Sequence, residues 1–363
     1  MIITAITFII VLGVLVLIHE FGHFIAAKKL GIKVEEFGFG FPPRVWGKKI
    51  GETLYSLNLL PIGGFVKVFG EEYHEENVTE AQGGYSAADR KRAFVYRPPW
   101  QKTIVICAGV VMNFLLGWAL ISYLFVQGVP TPTDRVIVEQ IQPNSPAVSA
   151  GLKVGDVIET ISKDNQSRSI KTVDDLIKAT KDYGDQEVLL QYDRNGQKAQ
   201  IRIMPRKNPP KNQGSLGVVI TNFVTKKYPW YTAPYYGLKH ATVITVTIVS
   251  ELGKTLGKLV TGQGTNVEVT GPVGIAQYTG QARKAGTNAL LELVALLSLN
   301  LAVINLLPFP ALDGGRQVFI LYEWVTKKRV NQNFERYMNM AGIIILLGLS
   351  AVITIFDVLK LFK

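Results

Sequence analysis

The chain has 363 residues, 48% of them hydrophobic and only 18% charged, with a formal net charge of +11 and a mean hydropathy of +0.20. That composition is not an ordinary soluble enzyme's, and no aromatic-interleaved basic patch argues for nucleic acid. The lone cysteine, Cys107, excludes an intrachain disulfide.

The first element is an apolar run over 2–27, long enough for the roughly 20 residues a helix needs to cross a bilayer. It lacks a positively charged start and exceeds the apolar core of a signal peptide, so it is expected to be retained. Inside it stands His19-Glu20-Phe21-Gly22-His23. Ionisable groups at such depth are costly and face a partner or a cavity. The two histidines, one turn apart, stand ~40° from each other on one helical face. They can share a metal ion, while Glu20 on the neighbouring flank can reach an attacking water without being a ligand. Catalytic zinc takes three protein ligands, so one remains to be found.

Next comes a glycine- and aromatic-rich stretch, Phe37–Pro43, and then two strand-like stretches, Thr53–Leu59 and Gly64–Phe69. A β-hairpin or small sheet is expected over 37–69. Residues 71–97 are polar and charged, and Pro98-Pro99 halts the chain before a second span at 103–126. Lys28, Lys29, Lys33, Arg90, Lys91, Arg92, Arg97 and Lys102 mark the loop between these spans as cytoplasmic. Such flanking cations also meet anionic lipid headgroups, which accounts for the basic excess.

A soluble domain is expected over 127–207, with a strand at Val136–Ile141 and an amphipathic helix at Thr172–Tyr183. A hairpin over 187–203 turns at Asn195-Gly196. Asn208–Gly214 reads as a linker. Residues 229–262 carry a rough apolar stripe broken by Lys239, His240, Glu251, Lys254 and Lys258. An interfacial amphipathic helix fits those charges better than a fifth crossing.

A third span at 288–307 leads into Asn305-Leu-Leu-Pro-Phe-Pro-Ala-Leu-Asp-Gly-Gly315, and a fourth covers 341–360, with Asp357 and Lys360 near its end. All four spans are expected as helices, because backbone groups cannot stay unpaired in lipid. Lys327, Lys328, Arg329 and Arg336 between the last two place that loop in the cytoplasm as well. Both termini and the 127–287 region are then outside. For the missing ligand, His74 lies in a charged loop and His240 on the outer side. Asp313 is the acid near the cytoplasmic end of the third span. Two prolines break the helix there, tolerable at membrane depth only around a protein-lined cavity. The alternative for Asp313 is a cap on the following helix.

On His19, Glu20, His23 and the run Asn305 to Gly314, the chain resembles the site-2 protease family of intramembrane zinc metalloproteases. The resemblance covers nearly the whole chain. It implies a polytopic α-helical membrane protein with four transmembrane helices and a membrane-associated β region. It further implies Zn2+ held by His19, His23 and Asp313, Glu20 as general base, and Asn305 holding the substrate backbone. The 37–69 region would pair with extended substrate, a plain cytoplasmic hairpin being the alternative. Asn144–Ile158 looks like one extracytoplasmic PDZ domain of the bacterial protease type, where proteobacterial members carry two. It would bind peptide or exclude bulky ectodomains. Residues 1–126 and 288–363 become the halves of the membrane core, joined through 208–287. Gly271-Pro-Val-Gly-Ile275 also matches the family, without an assignable role.

The implied reaction is peptide-bond hydrolysis in a bacterial plasma membrane. Implied substrates are single-pass transmembrane segments, anti-sigma factors or remnant signal peptides among them. The rivals are a non-catalytic PDZ-bearing scaffold and a zinc carrier. A single site offers no relay across the membrane, which counts against the carrier.

Overall fold

The computed structural model describes residues 2–71, 86–164, 166–211, 213–262 and 270–360. It divides into two compact units, one of Met1–Val126 with Pro229–Lys363 and one of Gln127–Tyr228.

The first unit opens with α1 (Ile2–Lys29), β1 (Val34–Ile50), β2 (Thr53–Val68), α2 (Ala87–Arg90) and α3 (Pro99–Gln127). The two long strands fold on themselves. Residues 34–39 pair with 64–68 on one side and 54–57 on the other, while 44–50 pair with 53–58. Among the described residues the result is a meander in which 64–68 forms one free edge and 44–50 the other. The β1–β2 turn is tied to the end of α1: Lys28 Nζ and Arg92 Nη2 reach Glu52 at 2.7 and 2.5 Å. These two cations, Lys28 foremost, hold the Glu52 carboxyl below its ordinary range.

The second unit contains β3 (Val129–Ile141), α4 (Pro146–Ala150), β4 (Val157–Lys163), β5 (Gln166–Ser169), α5 (Val173–Asp182), β6 (Val188–Arg194), β7 (Gln197–Ile203) and β8 (Val218–Lys226). Its sheet runs β7-β6-β4-β3-β8, with β5 paired to β4, leaving β8 at an edge. The expected hairpin and helix are present. Asn195 and Gly196 take the left-handed backbone their turn requires, and Thr172 caps α5. Val138, Ile158, Ile161, Leu176 and Leu190 fill the core. Asp156, fully buried, accepts from Arg194 Nε and Nη2, both at 2.7 Å, and from the Lys153 N–H. That closes the Ala150-to-Asp156 loop. The unit does not end at 207 as the sequence reading expects, because β8 lies beyond the Pro-rich stretch and pairs with β3.

The first unit resumes with α6 (Ala233–Val260), α7 (Pro272–Ala285), α8 (Thr287–Leu306), α9 (Asp313–Thr326) and α10 (Gln332–Lys360). Among the described residues, four helices are long and apolar enough to cross a membrane: α1, α3, α8 and Asn333–Lys360 of α10. The last starts well before the expected 341, since its first two turns are polar. α6 is one continuous helix and is not among the four. Its small residues Ala233 and Ala241 are buried, and Gly237 abuts Ser122 of α3.

The Gly271–Ile275 motif has a structural role. It starts α7, and Asp357 of α10 reaches across to accept from the Gly271 and Gly274 N–H groups at 3.0 and 2.8 Å. A side chain at either glycine would collide with this carboxylate or its neighbours. Asp357 is therefore no defect in the fourth span but an N-cap supplied from a distant helix. Asp357→Ala is expected to destabilise the protein by about 1–3 kcal/mol, seen as a lower thermal midpoint in detergent. An unchanged midpoint would contradict this role.

Candidate metal centre

The site is built around α3. Gly22 of α1 lies so close to α3 that a Cβ there would sit 2.4 Å from the Ala108 carbonyl oxygen. The helical repeat then turns His19 and His23, 7% and 9% exposed, onto the same face toward α3. Gly109 opposite leaves room for both rings, since its Cβ would lie 2.4 Å from His23 Nε2 and 2.7 Å from His19 Cε1.

α9 brings the third group. Gly314 and Gly315 pack directly on the carbonyls of Leu306, Leu307 and Phe309, where any side chain would clash. The proline-broken exit turn can thus fold against the start of α9 and present Asp313 to the histidines. Two further contacts fix α9 on α3: Lys102 Nζ to Glu323 at 2.8 Å, and Gln317 Nε2 to Thr103 Oγ1 at 2.9 Å. The buried Lys102 is thus engaged by the half-buried Glu323.

Asp313 Oδ2 lies 3.0 Å from His19 Nε2 and 3.3 Å from His23 Nε2. The two Nε2 atoms are 3.2 Å apart. Yet Oδ2 is a buried acceptor without a hydrogen-bond donor. Three Lewis bases facing one another without protons aligned between them would repel. A tetrahedral zinc with ligands at about 2.0–2.1 Å holds them about 3.3 Å apart, so the donor set fits that ion. Among the described residues, His19, His23 and Asp313 are the cluster that could hold a metal. His23 donates Nδ1–H to the Val105 carbonyl at 2.8 Å, which leaves Nε2 with its lone pair free.

Glu20 stands beside this cluster, not in it. It lines a cleft of about 670 Å³ together with the edge segment Phe65–Glu71 and Arg316. Gly64 comes close enough that its Cβ would lie 3.4 Å from Glu20 Cγ. Arg316, one turn after Asp313, pairs with Glu71 just past β2. Asn305, at the end of α8, places Nδ2 3.4 Å from His19 Nε2. His240 is packed against Phe125, away from the cluster, and His74 lies outside the described residues.

Sequence reasoning missed Gly109 and Asn113. Asn113 is fully buried, with Nδ2 3.1 Å from His19 Nδ1. The available signal was a small and a polar residue spaced i, i+4 in an otherwise apolar span, a pattern that marks close helix contact.

The family model for Peptidase family M50 matches residues 7–349. The chain is 30% identical to the Regulator of sigma-W protease RasP of Bacillus subtilis, across 99% of each protein. It is 35% identical to a putative zinc metalloprotease of Clostridium perfringens, across 95% of each. Among solved structures it is similar to the PDZ domain of an SdrC-like protein from Listeria monocytogenes. That likeness has 20% identity and a TM-score of 0.21, covering 26% of this chain and 94% of that one.

Proposed function

From the premise that this chain belongs to peptidase family M50 and is an intramembrane zinc metalloprotease, we propose that His19, His23 and Asp313 are its zinc ligands and Glu20 its general base. The observation that supports the ligand set most is the close approach of both Nε2 atoms to the orphaned Oδ2 of Asp313. Bound there, zinc supplies Lewis-acid polarisation of the scissile carbonyl and acidifies the attacking water. Glu20, on the cleft side, takes the proton of that water and delivers it to the leaving amine. Asn305, beside His19, holds the substrate backbone.

The substrate is a transmembrane segment presented in extended form. A helix must unwind before hydrolysis, and its freed backbone groups need partners in a medium without water. The free edge at 64–68 lies beside Glu20 and offers those partners by strand addition. The relative from Bacillus subtilis is named for regulating sigma-W, and by analogy anti-sigma factors are substrates here, with remnant signal peptides a second class. The active site lies toward the cytoplasmic side of a bacterial plasma membrane. The PDZ domain and both termini lie outside. Residues 1–126 and 288–363 act as the membrane core, and the 127–207 domain, extended by β8, screens what reaches it.

A photo-crosslinking residue at Lys67, introduced into the Glu20→Gln variant, is expected to trap a bound single-pass substrate. The same residue at Trp46, on the opposite edge segment, is expected to trap none. Equal capture at both would remove the strand-addition reading.

A further inference from the structure

We propose that Asn113 is a positioning residue for His19, its carboxamide oxygen accepting the ring's Nδ1–H and so leaving the Nε2 lone pair free for the metal. The two histidines are held differently. His23 has a main-chain acceptor, the Val105 carbonyl, which fixes the proton on Nδ1 permanently. Among the described residues, His19 has the Asn113 side chain alone at its Nδ1, 3.1 Å away.

As placed, Asn113 turns Nδ2 to that nitrogen and leaves Oδ1 buried without a partner. An amide N–H can only donate, so in this orientation the carboxamide offers the ring no acceptor. A metal ligand needs the Nε2 lone pair free and the proton on Nδ1, and that N–H requires an acceptor. Buried among apolar helices, an unpaired N–H would weaken ligation by the full cost of its desolvation.

Asn113 carries the acceptor it needs. A half-turn of the carboxamide exchanges Nδ2 for Oδ1 and makes Oδ1 the partner of Nδ1–H. The backbone around it stays fixed, since the Asn113 carbonyl accepts from Ser298 Oγ of α8 at 2.7 Å. The residue is fully buried, so water cannot substitute for it.

The inference rests on His19 being a zinc ligand, and its test separates the two ideas. Full-length wild type, Asn113→Leu, Asn113→Asp and His19→Ala are purified in detergent, stripped of metal, and titrated with zinc against a chromophoric chelator. Thermal unfolding of the stripped proteins reports folding. Asn113→Leu is expected to bind zinc roughly 10–100-fold more weakly. Asn113→Asp, which keeps an acceptor at the same place, is expected to bind at least as tightly as wild type. Equal affinity for Asn113→Leu and wild type would overturn the proposal, as would an Asp variant as weak as the Leu variant. If the Leu variant does not fold, the Asp variant decides alone: weaker binding than wild type overturns the proposal, and equal or tighter binding upholds it. Undiminished zinc in His19→Ala would instead remove the ligand assignment beneath it.

Discussion

Glu20→Gln is expected to reduce cleavage of a transmembrane substrate by about 10³-fold or more, with the zinc content unchanged. The two side chains are nearly isosteric, so cleft shape and helix packing survive. What is lost is a carboxylate able to take a proton and return it, a contribution usually of about 10²–10⁴. Zinc survives because Glu20 is outside the cluster formed by His19, His23 and Asp313 and lines the neighbouring cleft with the sheet edge. Cleavage assayed in detergent, with zinc measured on the same preparation, checks both halves. Full activity in the variant, or loss of its metal, would remove Glu20 from the role of base.

Gly109→Ala is expected to damage the metal site itself, through a single methyl group. The added Cβ falls 2.4 Å from His23 Nε2, an atom that must stay in place for ligation. The ring cannot swing aside cheaply, because its Nδ1 is bonded to the Val105 carbonyl, one turn before Gly109 on α3. Nor can α3 retreat from α1, since Gly22 already abuts the Ala108 carbonyl. Overpacking of this kind costs about 1–3 kcal/mol, taken here from the site itself. Zinc affinity should fall by roughly 5- to 150-fold and cleavage with it. Gly253→Ala is the control, as a Cβ there meets nothing within 4 Å and is expected to change neither. Unaltered zinc binding in Gly109→Ala would show that the rings have freedom the packing denies them.

The parts of this protein legible in its sequence are those whose cause is local. The spacing of His19 and His23 follows from one helix's own repeat, and the Asn195-Gly196 turn from backbone preference. Asp313 was legible because it is the acid near the cytoplasmic end of the third span, at the depth of the histidines and beside two prolines that break the helix. Gly109 and Asn113 were not, because their meaning lies in how closely α1 approaches α3. The start of α7 was opaque for a similar reason: its cap comes from Asp357, 86 residues away from Gly271. α9 begins with Asp-Gly-Gly, a weak helix start on propensity, and forms where the exit turn and α3 hold it. β8 lies past a stretch that reads as a linker, and only its pairing with β3 assigns it to the second unit.

α3 contributes neither a ligand nor a base, yet every part of the site is measured from it. It makes room for the histidines at Gly109, orients them through Val105 and Asn113, and anchors α9 through Lys102 and Thr103.

The central claim is that an aspartate 290 residues beyond His23 completes a metal site inside the membrane unit. Its most direct test is the metal content of purified wild type against Asp313→Ala, each with a folding control by thermal unfolding. One zinc per wild-type chain and little or none in a folded Asp313→Ala variant is the expected result. A folded Asp313→Ala protein that still carries one tightly held zinc would contradict it.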